Sequence, residues 1–109
     1  MNYVVFDLEW NQCPYGKHRE VKALPFEIIE IGAVKLNKDR EYVGRFHRIV
    51  RPAVYTKLHH RTREIVHMDQ ETLDQGVSFP EAAREFLAWA GADSQFCTWG
   101  TIDLVELQR

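Results

Sequence analysis

The segment from Tyr3 to Trp10, YVVFDLEW, constrains the rest of the chain more than any other. Its β-branched and aromatic residues predict a strand, yet two carboxylates sit in it at alternate positions. Side chains alternate across a strand, so Asp7 and Glu9 project side by side from one face. The neighbouring Val4, Val5, Phe6, Leu8 and Trp10 describe a strand covered on both faces. Buried carboxylates are rarely left without partners, and two this close repel unless a proton or a cation lies between them. An oxygen-only donor set in a phosphate-handling site suits Mg²⁺ or Mn²⁺. Taken alone, Asp7-Leu8-Glu9 also suits an alternating strand with a solvated face, and basic side chains could pair with both acids.

The residues after this strand limit the fold class. Residues 11–25 contain Pro14, Gly16 and Pro25 among the basic Lys17, His18, Arg19 and Lys22, which predicts a loop. It is long for a strand connection, and loops of that size are often functional. Residues 26–36 (FEIIEIGAVKL) and 42–51 (YVGRFHRIVR) read as two more strands around the turn-prone Asn37-Lys38-Asp39. Pro52 ends the third because it has no N–H to donate. A helix is predicted over 56–67, with Leu58, Thr62, Ile65 and Val66 on one face. Asp69 caps a short second helix that stops near Gly76. Ser78-Phe79-Pro80-Glu81 reads as a capping box, followed by the apolar stripe Phe79, Ala82, Ala83, Phe86, Leu87 and Ala90, and Gly91 closes that helix. Residues 95–99 predict a fourth strand, and Thr101 caps a last helix carrying Asp103, Leu104, Val105 and Leu107. The expected class is α/β, a mixed sheet with an antiparallel three-strand meander and helices packed on it.

Length and charge narrow the function. At 109 residues the chain has room for one domain. Its formal net charge of −2 excludes a global basic field, so a polyanion would be held by a local patch and bound cations. Cys13 and Cys97 are too far apart in sequence to suggest a disulfide framework, no apolar run is long enough for a bilayer, and no basic leader precedes the first strand. These features predict a cytoplasmic protein with no membrane partner. Asp103 follows a strand at a helix start, where carboxylates are common but where open α/β sheets also place ligands. His59, His60 and His67 lack the companions of a zinc site. Lys57, Arg61 and Arg63 read as a solvated helix face, and Glu30 as a buried, hydrogen-bonded structural residue. Lys17, Arg19 and Lys22 are better candidates for phosphate contacts, because their loop leaves the strand with the acidic pair.

The motifs together resemble a known family. VVFDLEWNQ is similar to the first motif of the DEDD (DnaQ-like, RNase T-like) 3′–5′ exonuclease superfamily, and FEIIEIGAVKL resembles that family's second strand. SFPEAAREFLAW and TWGTIDL resemble the stretch leading into and through the second motif, nearest the Eri-type and KapD-like branch. The resemblance implies an RNase H-like exonuclease fold that hydrolyses phosphodiester bonds of RNA or single-stranded DNA with two Mg²⁺ or Mn²⁺ ions. It places Asp7, Glu9 and Asp103 as the first three acidic ligands, and Trp10 and Asn11 against the terminal nucleotide; Lys17 and Arg19, from the loop that leaves the acidic strand, are expected as further substrate contacts. The family's fourth Asp and its general base lie past the second motif. Residues 1–109 are therefore expected to be the N-terminal portion of an exonuclease domain, inactive alone, with an exposed surface that invites homodimers. The competing expectation is a nucleic-acid-binding or regulatory module that keeps the fold without turnover.

Overall fold

A computed structural model describes residues 1–14 and 26–98. The chain forms β1 (Asn2–Gln12), β2 (Phe26–Leu36), β3 (Tyr42–Ile49), α1 (His60–Val66), α2 (Gln70–Asp74), α3 (Phe79–Ala90) and β4 (Ser94–Cys97). The strands make one sheet in the order β3-β2-β1-β4. The first three form an antiparallel meander, and β4 returns after α3 to lie parallel to β1, pairing Asn2 with Ser94 and Val5 with Cys97. The expected mixed sheet is therefore present. The last expected helix, from Thr101, lies outside the described residues.

One face of the sheet is closed by α3. Ser78 caps this helix by accepting a hydrogen bond from the Glu81 amide, and its buried residues Ala82, Phe86 and Ala90 recur every four positions. Phe86 meets Phe6 edge-on with ring centroids 5.9 Å apart, and lies 5.4 Å from Phe46 and 5.7 Å from Phe96. Val4, Phe6 and Leu8 of β1 and Ile28, Ile31 and Ala33 of β2 complete this core. Each fully buried large apolar side chain contributes about 1.5–3 kcal/mol.

Ile28 and Ile31 can face the same core only because the pairing shifts between them. Glu9 lies opposite Glu30 but Trp10 lies opposite Ile28, so Ile29 is the extra residue of a β-bulge. Ile29 turns to the other face, where it packs with Leu58, Met68 and Leu73 from the α1–α2 region. That region covers only one end of the second face. Val5 is half-buried and Asp7 exposed. The expectation of a strand covered on both faces is thus corrected: the second layer stops short of Asp7.

The expected helix over 56–67 is shorter, starting at His60. Its predicted apolar face is also only partly right, since Thr62 is buried but Ile65 is 74% exposed. The cause lies elsewhere in the chain. The Glu27 carboxylate accepts the amides of Ala53 (2.8 Å), Val54 (3.1 Å) and Tyr55 (2.7 Å). Those amides are held in a non-helical path by a strand residue, and Asn11 holds the segment after them. Gly76, read as a helix stop, has a more specific task. A Cβ there would lie 2.8 Å from both Arg51 N and Ile49 O, backbone atoms at the end of β3. The close approach allows Val77 and Val50 to bridge, with Arg51 N donating to Val77 O at 2.7 Å. Among the described residues, no helix is long and apolar enough to cross a membrane.

Candidate active site

The second face of the sheet holds the acids in two rows. Asp7, Gly32 and His47 are aligned across β1, β2 and β3, and Glu9, Glu30 and Ile49 make the next row. Directly paired residues share a face, so Asp7, Glu9, Glu30 and His47 all look out on the same side. Gly32 adds no side chain, and a Cβ built on it would meet nothing within 4 Å. The space between Asp7 and His47 is therefore open on β2.

Asp7 is exposed, and its Oδ1 accepts only a local bond from the Leu8 amide at 3.1 Å. Glu9 is half-buried. Glu30, read from sequence as a buried structural residue, is partly exposed and lies 2.9 Å from His47 Nε2. Sequence reasoning misses that partner. Its signal is the pairing register of β2 and β3, which sequence alone does not fix beyond the hairpin turn. Asp103, Lys17 and Arg19 lie outside the described residues.

Trp10 is half-buried and Asn11 fully buried. Strand alternation turns Trp10 away from the carboxylates, and it packs against the Phe6–Phe86 core. There it lines a cavity of about 310 Å³ with Phe26, Ile28 and Phe79. Asn11 does share the acidic face, but it is 0% exposed. Its Nδ2 donates to Tyr55 O and Lys57 O, each at 2.9 Å, and its Oδ1 accepts from the His59 amide at 2.9 Å. Both donors are in use, so Asn11 fastens the 55–59 segment beside the acids.

That segment ends at His59, whose Nδ1 accepts the Arg61 amide at 3.1 Å and caps α1. Partial burial, reinforced by the charges of His60 and Arg61, holds the His59 imidazole below its usual value. The neutral form is thus favoured, and that is the form able to accept at Nδ1. The His59 and His60 rings stack at 4.4 Å.

A profile of the exonuclease family of RNase T matches residues 4–104, the stretch that contains this whole arrangement. The chain belongs to that family. The probable 3′–5′ exonuclease KapD of Bacillus subtilis (strain 168) is 32% identical over 107 residues, covering 97% of this chain and 51% of KapD. The chain thus spans about half of that relative's length. Among solved structures, it is similar to the nuclease domain of 3′hExo, a DEDDh family member bound to rAMP, with a TM-score of 0.79 and 22% identity. That match covers 97% of this chain and 55% of the other. It also resembles E. coli Exonuclease I in complex with an oligonucleotide, with a TM-score of 0.68 and 12% identity over 99% of this chain and 22% of the other. The mixed sheet with its flanking helices is the RNase H-like fold of these exonucleases.

The donor chemistry of the acidic face suits a hard divalent cation. Asp7 and Glu9 offer carboxylate oxygens on adjacent same-face positions, with no thiolate beside them to favour a softer metal. Among the described residues no cluster of three His, Cys, Asp or Glu residues assembles. Among the described residues, Asp7 and Glu9 are thus a pair of candidate donors.

Proposed function

We propose that this chain carries the metal-binding strand of a 3′–5′ exonuclease that hydrolyses phosphodiester bonds of RNA or single-stranded DNA. Asp7, Glu9 and Asp103 are the proposed ligands of two Mg²⁺ or Mn²⁺ ions. The observation that carries the reading is the pair of adjacent carboxylates on one face of β1, Asp7 exposed and Glu9 half-buried, in a chain matched by the exonuclease profile from 4 to 104. Bound there, the ions would lower the pKa of an attacking water and stabilise the leaving oxygen.

The protein's own contribution is placement. Asp7 is exposed, whereas Glu9 is half-buried and lies opposite Glu30. The bulge after Glu9 ends the acidic rows, and the buried anchors Leu8 and Asn11 hold β1 rigid on either side. The solved relatives bound to rAMP and to an oligonucleotide support a nucleic-acid substrate. Lys17 and Arg19 remain proposed phosphate contacts.

Since this chain spans about half of KapD, cleavage is assigned to the whole natural protein. The test uses that protein with 5′-labelled single-stranded RNA and DNA and Mn²⁺. Stepwise shortening from the 3′ end is expected, and Asp7→Asn should lower the rate at least about 100-fold, since even residues that only support a metal ligand can matter that much. Cleavage at an undiminished rate in the variant would remove Asp7 from the site.

A further inference from the structure

Beside the acidic face is a cleft of about 680 Å³ whose lining includes Lys57, His59, His60 and Arg63. We propose that this cleft seats the phosphodiester backbone of a single nucleic-acid strand, one or more residues upstream of the end that reaches Asp7 and Glu9. The direction of that strand rests on the exonuclease reading, whereas the seat itself rests on the cleft.

Four observations carry it. First, the chain as a whole is slightly acidic at −2, whereas this lining carries the cations Lys57 and Arg63 against one acid, Asp74. Second, Lys57, His60 and Arg63 are exposed, and among the described residues the ion pairs engage none of them. The acid in the lining, Asp74, already accepts a hydrogen bond from Gln70 Nε2 at 2.8 Å.

Third, the wall is preorganised. Asn11 fixes it at three backbone atoms, the Leu58 amide donates to Gln70 Oε1 at 2.7 Å, and Gln70 Nε2 donates to Thr56 O at 2.8 Å. A rigid wall binds without first being ordered. Fourth, the position is right for an extended strand. Asn11 lies two residues beyond Glu9 on the same face, about 7 Å along β1. Cations on a wall fastened there meet the phosphates behind a terminal residue held at the carboxylates. Such contacts attract phosphates of any sequence, so the seat is expected to be sequence-tolerant.

The experiment measures binding apart from cleavage. The full natural protein carrying Asp7→Asn, in EDTA, is titrated against labelled single-stranded RNA and DNA over a range of salt concentrations. Adding Lys57→Gln with Arg63→Gln should weaken binding about tenfold at low salt. It should also flatten the log–log salt slope by about 1.4, since each phosphate contact to a single strand contributes about 0.7. Arg63→Lys in place of Arg63→Gln should restore part of both. Lys38→Gln with Arg84→Gln, which neutralises two exposed cations outside the cleft, should change neither. Unchanged affinity and slope in the Lys57/Arg63 variant would overturn the proposal. So would equal losses in the Lys38/Arg84 variant, or retention of polyglutamate with no binding of oligonucleotide. If the seat behaves as stated but wild-type protein with Mn²⁺ cuts nothing, the exonuclease reading falls and the seat stands.

Discussion

Asn11 shows how one buried side chain can fasten a distant segment of the chain beside the acidic strand. Its three hydrogen bonds reach backbone atoms of Tyr55, Lys57 and His59, which are 44 to 48 positions away. Asn11→Ala removes all three bonds, one buried and two part-buried, and a buried group left unsatisfied costs about 1–3 kcal/mol. A loss of roughly 3 kcal/mol in urea unfolding is expected, allowing for water reaching part of the gap. A loss below about 0.5 kcal/mol would mean that solvent replaces the clamp completely. His59, the last residue of that segment, adds a pH dependence. Its folded-state pKa lies below the usual value, so the folded protein binds fewer protons there than the unfolded chain. Stability from this residue is present above the ordinary histidine value and is lost as pH falls through the lowered one. His59→Asn keeps an acceptor at the cap without the titration. Its melting temperature should fall less between neutral and mildly acidic pH than the wild type's, and parallel curves would clear His59 of the effect.

At the level of elements, sequence is most informative where partners are close along the chain. The bounds of β2, the caps Asp69 and Ser78 and the stop at Gly91 depend on residues within a few positions, and all are in place. The start of α1 escapes a local reading because Glu27 and Asn11 hold residues 53–59 from 26 to 48 positions away. The same holds for the acids. Their shared face follows from alternation alone, but the open state of that face depends on where the α1–α2 layer ends, and the partner of Glu30 depends on strand register. Alternation also places Trp10, which resemblance nominates as a substrate contact, on the side opposite Glu9. Gly76 is an element-scale constraint of another kind. Because a Cβ there meets backbone on β3, Gly76→Ala must separate Val77 from Val50. It should destabilise by about 2–4 kcal/mol, an overpacking cost with a lost bridge added. A change within about 0.5 kcal/mol in denaturant unfolding would show that the junction shifts freely.

At the level of the whole molecule, β1 is the strand on which everything else is assembled. It pairs with β2 on one side and β4 on the other, lays its apolar face on α3 and its polar face against the 55–59 segment. The order of the sheet is legible as a meander joined by a later strand, since antiparallel neighbours follow from short connections and a strand after a long helical stretch favours a parallel return. This placement has a consequence for synthesis, when the N-terminus leaves the ribosome first. The acidic strand is made before its wall at 55–59, its covering helix at 79–90 and its β4 neighbour at 94–97. Until then Val4, Phe6 and Leu8 have no layer over them and one edge of β1 has no neighbour, the condition in which nascent chains aggregate. Non-local closure of this kind is slow because the intervening loop entropy is lost before the contacts form. The carboxylate face and the basic wall therefore come together only after the 55–59 segment has been made, so a shorter nascent chain holds the acids without the surface proposed to bring a strand to them.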